Sequence, residues 1–210
     1  AMARPATKHA VRITDPDRIA DMMAHAITIA RGGRPGPVFI ELPIDILARP
    51  ARLPAPMPRP VAPPATRPTD GGLAAIVAAL QAAQRPVIVL GGLARYQASP
   101  EQLRAFVERT GMPLVATSRA MGMIPEDHPA YAHEPASIAA AIAGGQAPDL
   151  ILMLGSRYGM FLAGRTRAFF PEGATIVQVH SDAAEFGRIH QPDHSSSATI
   201  GGFVDAVAAA

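Results

Sequence analysis

The chain contains no cysteine, no tryptophan and no asparagine, and it has a single lysine, Lys8. Without cysteine there is no disulfide framework, no thiol nucleophile, no iron–sulfur cluster and no cysteine-ligated zinc. One lysine outside any glycine-rich setting excludes a P-loop. The missing asparagine removes every cation site that needs that side chain. Aromatic residues make up only 5% of the chain. The other 18 of the 19 basic residues are arginine, scattered without a basic run. The pI near 9.5 therefore reflects arginine in place of lysine, and no nucleic-acid partner is expected. No stretch approaches the ~18 consecutive apolar residues of a membrane span. Residues 1–10 lack the apolar core of a signal peptide, so a cytoplasmic protein with no membrane partner is the expectation.

What is present is a chain built to fold. Of its 210 residues 49% are hydrophobic and 17% charged, with a net charge of +2. Three regions separate by composition. In residues 1–47, Asp15 and Pro16 read as a helix start, with Ile19, Met22, Met23, Ala26 and Ile27 at helical spacing. That helix stops at Gly32-Gly33, and the stripe of Met22, Met23 and Ile27 reads as core. Val38 to Leu42 reads as a short strand. Residues 48–70 form a linker: eight of the nineteen residues from Pro50 to Pro68 are proline, which favours extended, semi-rigid chain.

Residues 71–210 alternate helix and strand. Helices are expected at 73–83, at 100–110 with Ser99 as N-cap, at 135–143, at 163–169 and at 203–209. Strands are expected at 86–90, 113–116, 150–154, 174–179 and 198–200. Apolar strands alternating with helices of about ten residues imply βαβ units and a doubly wound parallel sheet, an α/β fold.

In such a sheet ligands lie beyond the carboxyl ends of the strands. Four segments fall there: Gly91-Gly92-Leu93, Thr117-Ser118-Arg119, Gly155-Ser156-Arg157, and His180-Ser181. Glycines let a ligand approach backbone, and hydroxyls with arginine suit phosphate. Gly91 to Tyr96 does not complete G-x-G-x-x-G, and glycine at a strand end also serves simply to turn the chain. His190 with His194, and Glu126, Asp127, His128 and His133, read as solvated loop groups in preference to metal ligands. Arg157 is expected to ion-pair with Asp149 or Glu172. No serine has the G-x-S-x-G setting of a hydrolase elbow.

Four stretches carry a family resemblance. Lys8-His9-Ala10-Val11-Arg12-Ile13-Thr14-Asp15-Pro16, with the G-R-P-G-P-V-x-x-x-L-P-x-D segment from Gly33 to Asp45, resembles the end of the N-terminal, pyrimidine-binding domain of thiamine-diphosphate-dependent enzymes. The acetolactate synthase large subunit is the nearer type. The run from Arg85 to Gly91 and that from Pro148 to Gly159 resemble the central, Rossmann-like domain of the same enzymes, the latter being especially similar to benzaldehyde lyase.

The resemblance implies a segment of a C–C bond synthase or lyase acting on 2-keto acids or 2-hydroxy ketones. The whole enzyme would use thiamine diphosphate and magnesium and would work as a homo-oligomer. The family's magnesium anchor is a G-D-G segment with a downstream asparagine. Neither occurs here, so the resemblance implies that this chain alone is inactive, with no catalytic or metal residue of its own. Its central domain would supply scaffold and, at the four strand ends above, a site for FAD or an ADP-like nucleotide. Flavin-binding synthases carry acidic residues and a further arginine where this chain has Tyr158-Gly159-Met160. A stand-alone nucleotide-binding or regulatory module is the alternative. An NAD-dependent deacetylase-like domain would need a histidine beside an asparagine, which the chain lacks. The strand at 38–42, cut from its parent sheet, is expected to pack on the central domain, pair with another chain, or be poorly ordered.

Overall fold

The computed structural model describes residues 2–164 and 166–210. The chain divides into two compact units, Ala1–Pro64 and Ala65–Ala210.

In the first unit, β1 (His9–Arg12) leads through a 3-10 turn at Pro16–Arg18 into α1 (Ile19–Arg31), and the chain returns through β2 (Val38–Glu41) and α2 (Ile44–Leu47). The Asp15 carboxylate accepts from the Asp17 amide, as the Asp-Pro start predicts. The strand at 38–41 has a partner that the sequence reading missed. β1 pairs with it in parallel, from His9 opposite Val38 to Arg12 opposite Glu41. It therefore needs neither the central domain nor a second chain for pairing. β1 escaped notice because four residues with one β-branched side chain carry almost no strand signal.

The lone lysine has a local task. Lys8 Nζ donates to the carbonyls of Gly32 and Arg34 just beyond α1, where a cation suits the free carbonyl ends of a helix. The proposed core stripe of α1 is corrected. Ala24 and Ala26 are its buried residues, whereas Met23 and Ile27 are exposed and Met22 is half-buried. A two-stranded sheet is too narrow to cover a wide helix face.

The second unit runs α3 (Asp70–Ala82), β3 (Pro86–Leu90), α4 (Ala94–Gln97), α5 (Pro100–Thr110), β4 (Leu114–Ala116), α6 (Ala136–Ala143), β5 (Leu150–Leu154), β6 (Thr175–Val179), β7 (His194–Ser196) and α7 (Ile200–Ala209). The five strands form one sheet in the order β4-β3-β5-β6-β7, parallel throughout. β5 lies at the centre and is buried on both faces, which explains its unbroken apolar run. Alternate residues feed two cores. Ile88, Leu90, Leu150, Leu152 and Leu154 pack with Ile76 of α3, Phe106 of α5 and Phe203 of α7. Val87, Val89, Ile151 and Met153 pack with Ile138 of α6 and with Tyr158, Leu162 and Phe170.

α5 begins with a full capping box between Ser99 and Gln102 and ends at Gly111 with φ +65°. Two expectations fail here. The stretch 163–169 is not a helix: a 3-10 turn spans Met160–Leu162, and Ala163, Gly164 and Arg167 all take positive φ, which ends right-handed helix; Arg165 lies outside the described residues. The last strand is His194–Ser196, not 198–200, because Thr199 caps α7 by accepting from the Gly202 amide.

The proline-rich stretch is a non-helical, non-strand connection that is nonetheless fastened. The Arg52 amide donates to Asp17 and the Val61 amide to Thr28 Oγ1 in the first unit. In the second unit Thr66 and Thr199 clasp each other. The Thr66 amide donates to Thr199 Oγ1, that hydroxyl to the Thr66 carbonyl, and the Thr199 amide to Thr66 Oγ1 at 2.9 Å.

Candidate functional site

The sheet register places all four candidate segments on one edge. Leu90 is level with Ala116 and Leu154, and Leu154 is level with Val179. The next residues are therefore Thr117, Gly91, Gly155 and His180. Strand order reverses between β3 and β5, so the topological switch point lies at Gly91 and Gly155.

At that point the chain is packed against itself. A Cβ on Gly91 would lie 2.2 Å from the Gly155 carbonyl oxygen and 2.3 Å from Ser156 Cα. Glycine at 91 is thus required by the meeting of two strand ends. Gly155 needs its left-handed φ of +64°, and a Cβ there would approach that of Leu93. A Cβ on Gly92 would meet the Arg119 side chain at 2.6 Å. These contacts account for the glycines without any ligand.

The hydroxyls divide into inward and outward sets. Ser156 is buried and its Oγ donates to the Val89 carbonyl. Thr117 Oγ1 donates to the Leu90 carbonyl. Ser181 Oγ accepts from Gln97 Nε2 at 2.7 Å, while Gln97 Oε1 is buried with no partner among the described residues. His180 is buried and its Nδ1 accepts from the Asp182 amide. Ser118, Arg119 and Arg157 are exposed. The Arg119 guanidinium has no ion-pair partner among the described residues, whereas its carbonyl is held by Arg95 Nε at 2.6 Å.

Arg157 pairs with neither Asp149 nor Glu172. Its partner is Glu185, 3.6 Å away, a carboxylate only 4% exposed that also meets Arg188 at 3.2 Å. Asp149 instead accepts the amides of Gln84 and Arg85. Glu185, Gln97 and Arg95 were not legible as site residues. Asp182-x-x-Glu185 reads as an ordinary helix-start spacing, and the other two lie on α4, a single turn that no periodicity announces.

No three His, Asp or Glu side chains converge into a metal-binding group among the described residues. His128 is taken up by the Ala130 amide and by Glu108, 3.7 Å away. His190 stacks edge-on against Tyr158 at 5.0 Å between ring centres. Burial, with Arg167 adding to it, holds the His190 imidazole below its usual range. Burial likewise pushes the Tyr158 phenol up to about 12.

Residues 73–207 match the family model of the thiamine pyrophosphate enzyme central domain. The chain belongs to that family. It is 34% identical over 193 residues to the acetolactate synthase large subunit of Corynebacterium glutamicum, covering 89% of this chain and 30% of that protein. It is 32% identical over 165 residues to the oxalyl-CoA decarboxylase of Escherichia coli, covering 77% of this chain and 28% of that protein. Among solved structures, one described as a thiamin diphosphate-dependent enzyme of Mycobacterium smegmatis superposes with a TM-score of 0.75 at 24% identity, covering 99% of this chain and 40% of that one; it shows the fold. The chain spans about 30% of the length of the curated relatives it matches. Enzymes of that length as relatives do not favour a stand-alone regulatory module. Within the family's architecture the strand-end edge belongs to the central domain, and the extended match to synthases takes in the first unit as well.

Proposed function

We propose that the chain is a segment of a thiamine-diphosphate-dependent enzyme that makes or breaks C–C bonds of 2-keto acids or 2-hydroxy ketones, and that residues 71–210 supply scaffold and an adenine-nucleotide site. Residues 1–47 are read as the end of a pyrimidine-binding domain. The whole enzyme would hold thiamine diphosphate and magnesium through segments other than these and would work as a homo-oligomer in the cytoplasm. The residues here do not fit that cofactor. There is no G-D-G and no asparagine, and no acidic or histidine cluster suits a metal among the described residues. No chemical step is assigned to this chain. As for localisation, no helix among the described residues is long and apolar enough to cross a membrane.

The nucleotide reading rests on one observation: exposed Ser118, Arg119 and Arg157 stand just beyond the level carboxyl ends of β4 and β5, the two strands that flank β3 at the switch point. The Arg119 guanidinium, without an ion-pair partner among the described residues, suits a phosphate, and Gln97 Oε1, likewise without a partner among them, can accept from an amine or hydroxyl. An ADP-like nucleotide is favoured over FAD because Tyr158-Gly159-Met160 replaces the acidic and arginine residues of the flavin-binding pattern. Calorimetric titration of the chain with ADP, and separately with FAD, tests this. ADP is expected to bind and Arg119→Ala to weaken it about tenfold, the worth of one charge-assisted contact. Absence of binding at millimolar ADP, or binding indifferent to Arg119, would sink the reading. Tight FAD binding with a flavin absorbance band would replace ADP by FAD.

A further inference from the structure

The opposite edge of the same sheet holds a cavity of 510 Å³. It lies at the amino ends of β3 and β4, where Pro86 and Pro113 enter the sheet. Val87 and Val115 of the sheet, Ile138 and Ala141 of α6, and Met112 just beyond α5 line it. Its size falls in the range of small-molecule sites, ~300–1,000 Å³. Nothing in the candidate nucleotide edge reaches it, because its lining belongs to the beginnings of strands, not their ends.

Its polar groups are few. Arg85 is the one charged residue in the lining. Its Nε donates to the Ala147 carbonyl at 2.8 Å, which fixes the plane of the guanidinium. Its terminal nitrogens have no partner among the described residues. The neighbouring carboxylate, Asp149, points its two oxygens at the amides of Gln84 and Arg85, at 2.8 and 2.9 Å. Burial pushes the Asp149 carboxyl up, but the backbone amides, with the Arg85 charge adding to them, outweigh it and hold it below the usual range. Both Asp149 oxygens are therefore committed to backbone amides, and the carboxylate, though its charge feels that of Arg85, leaves the terminal nitrogens of the Arg85 fork open to a second anion. The Ser137 hydroxyl, half-buried in the lining, also lacks a partner among the described residues. Thr110 Oγ1 donates to the Phe106 carbonyl and is left only as an acceptor.

An apolar chamber with an exposed, tethered guanidinium in its lining, its terminal nitrogens without a hydrogen-bond partner among the described residues, selects for one chemistry. We propose that this cavity binds a small organic acid with an aromatic or branched apolar body and one terminal carboxylate. The body lies between α6 and the two valines, the carboxylate takes both terminal nitrogens of Arg85, and Ser137 donates to it or to a second polar group.

The test titrates the isotope-labelled chain with 4-phenylbutyrate and, in parallel, with the uncharged 4-phenylbutanamide, following backbone amide chemical shifts. Shifts are expected at Val87, Val115, Ile138 and Ala141, with the acid binding about tenfold more tightly than the amide. Arg85→Gln should remove that difference and leave amide binding as it was. Ala141→Phe, which puts a ring into the cavity, should abolish both. Ser137→Phe is the second filling variant, and either folded variant that still binds the acid as the parent does would overturn the proposal. So would equal affinity for acid and amide, shifts confined to the carboxyl edge, or no shifts at millimolar acid. Concentration-dependent shifts at the cavity without added ligand would show that a second copy covers it, and would overturn it too.

Discussion

Gly91→Ala separates a glycine kept for packing from one kept for a ligand. In open structure an alanine for glycine stabilises by ~0.4–1 kcal/mol, because the unfolded chain loses freedom. At position 91 the added Cβ would lie 2.2 Å from the Gly155 carbonyl oxygen. That is ~1.3 Å inside the ~3.5 Å at which non-bonded atoms are best placed. The obstacle is backbone on both sides, so no side chain can swing away, and β3 must part from β5 at the centre of the sheet. The Gly91 amide bond to Leu154, 2.8 Å long, lies in the path of that movement. Overpacking of this kind costs about 3 kcal/mol or more. At ~3–4 °C per kcal/mol for a unit of this size, Tm should fall by about 10 °C.

Two other glycines calibrate the measurement. A Cβ on Gly71, in the first turn of α3, meets nothing within 4 Å, so Gly71→Ala should raise stability by ~0.5–1 kcal/mol. Gly111 also has open space but a φ of +65°, so Gly111→Ala should cost ~1 kcal/mol from backbone conformation alone. Thermal unfolding followed by far-ultraviolet circular dichroism orders the three. If Gly91→Ala melts with the parent chain, the close approach of β3 and β5 is not as described, and position 91 is again open to a ligand role.

Thr199→Ala removes the N-cap of α7 and the clasp on Thr66, and should cost ~2 kcal/mol in urea unfolding; Thr199→Ser should restore most of it. Tyr158 is 3% exposed, and its hydroxyl has no partner among the described residues, so Tyr158→Phe should stabilise by ~1 kcal/mol at pH 7. The same residue gives an alkaline limb. Its phenol is held up at about 12 by burial, while the unfolded phenol titrates near ~10. The unfolded chain thus releases its proton first, and stability should fall as pH rises from about 10 to about 12, by ~2–3 kcal/mol; a Tyr158→Phe variant with an unchanged limb would refute that assignment. Glu185→Gln should cost ~1–3 kcal/mol, since it leaves a buried neutral amide where two arginines converge on a carboxylate.

How far the residues announced the structure varies with how much each element depends on distant partners. β3 and β5 were legible to the residue, because a strand buried on both faces must be apolar throughout. α5 was legible at both ends, since Ser99, Pro100 and Gly111 are local signals with local causes. β7 was not. His194-Ser195-Ser196 has no strand character of its own and is held by the edge of β6. The β-branched pair Thr199-Ile200 looks like strand, yet Thr199 is drawn into capping α7 and clasping Thr66. The stretch 163–169 reads as helix, but Ala163, Gly164 and Arg167 take positive φ, which no local signal in those residues announces.

The candidate site divides in the same way. That its residues would stand at the carboxyl ends of parallel strands followed from the alternation of elements alone, whereas the family came from the resemblance carried by particular segments, the G-R-P-G-P-V run above all. Which of those residues face outward did not follow. Ser156 and His180 turn inward, Arg157 finds Glu185 across 28 residues of chain, and Gly91 exists to let two strand ends meet. Composition and periodicity record what each element needs for itself. Side-chain direction at a strand end, the partner of a charge and the space beside a glycine are set by what another element places there, and only the folded chain brings those elements together.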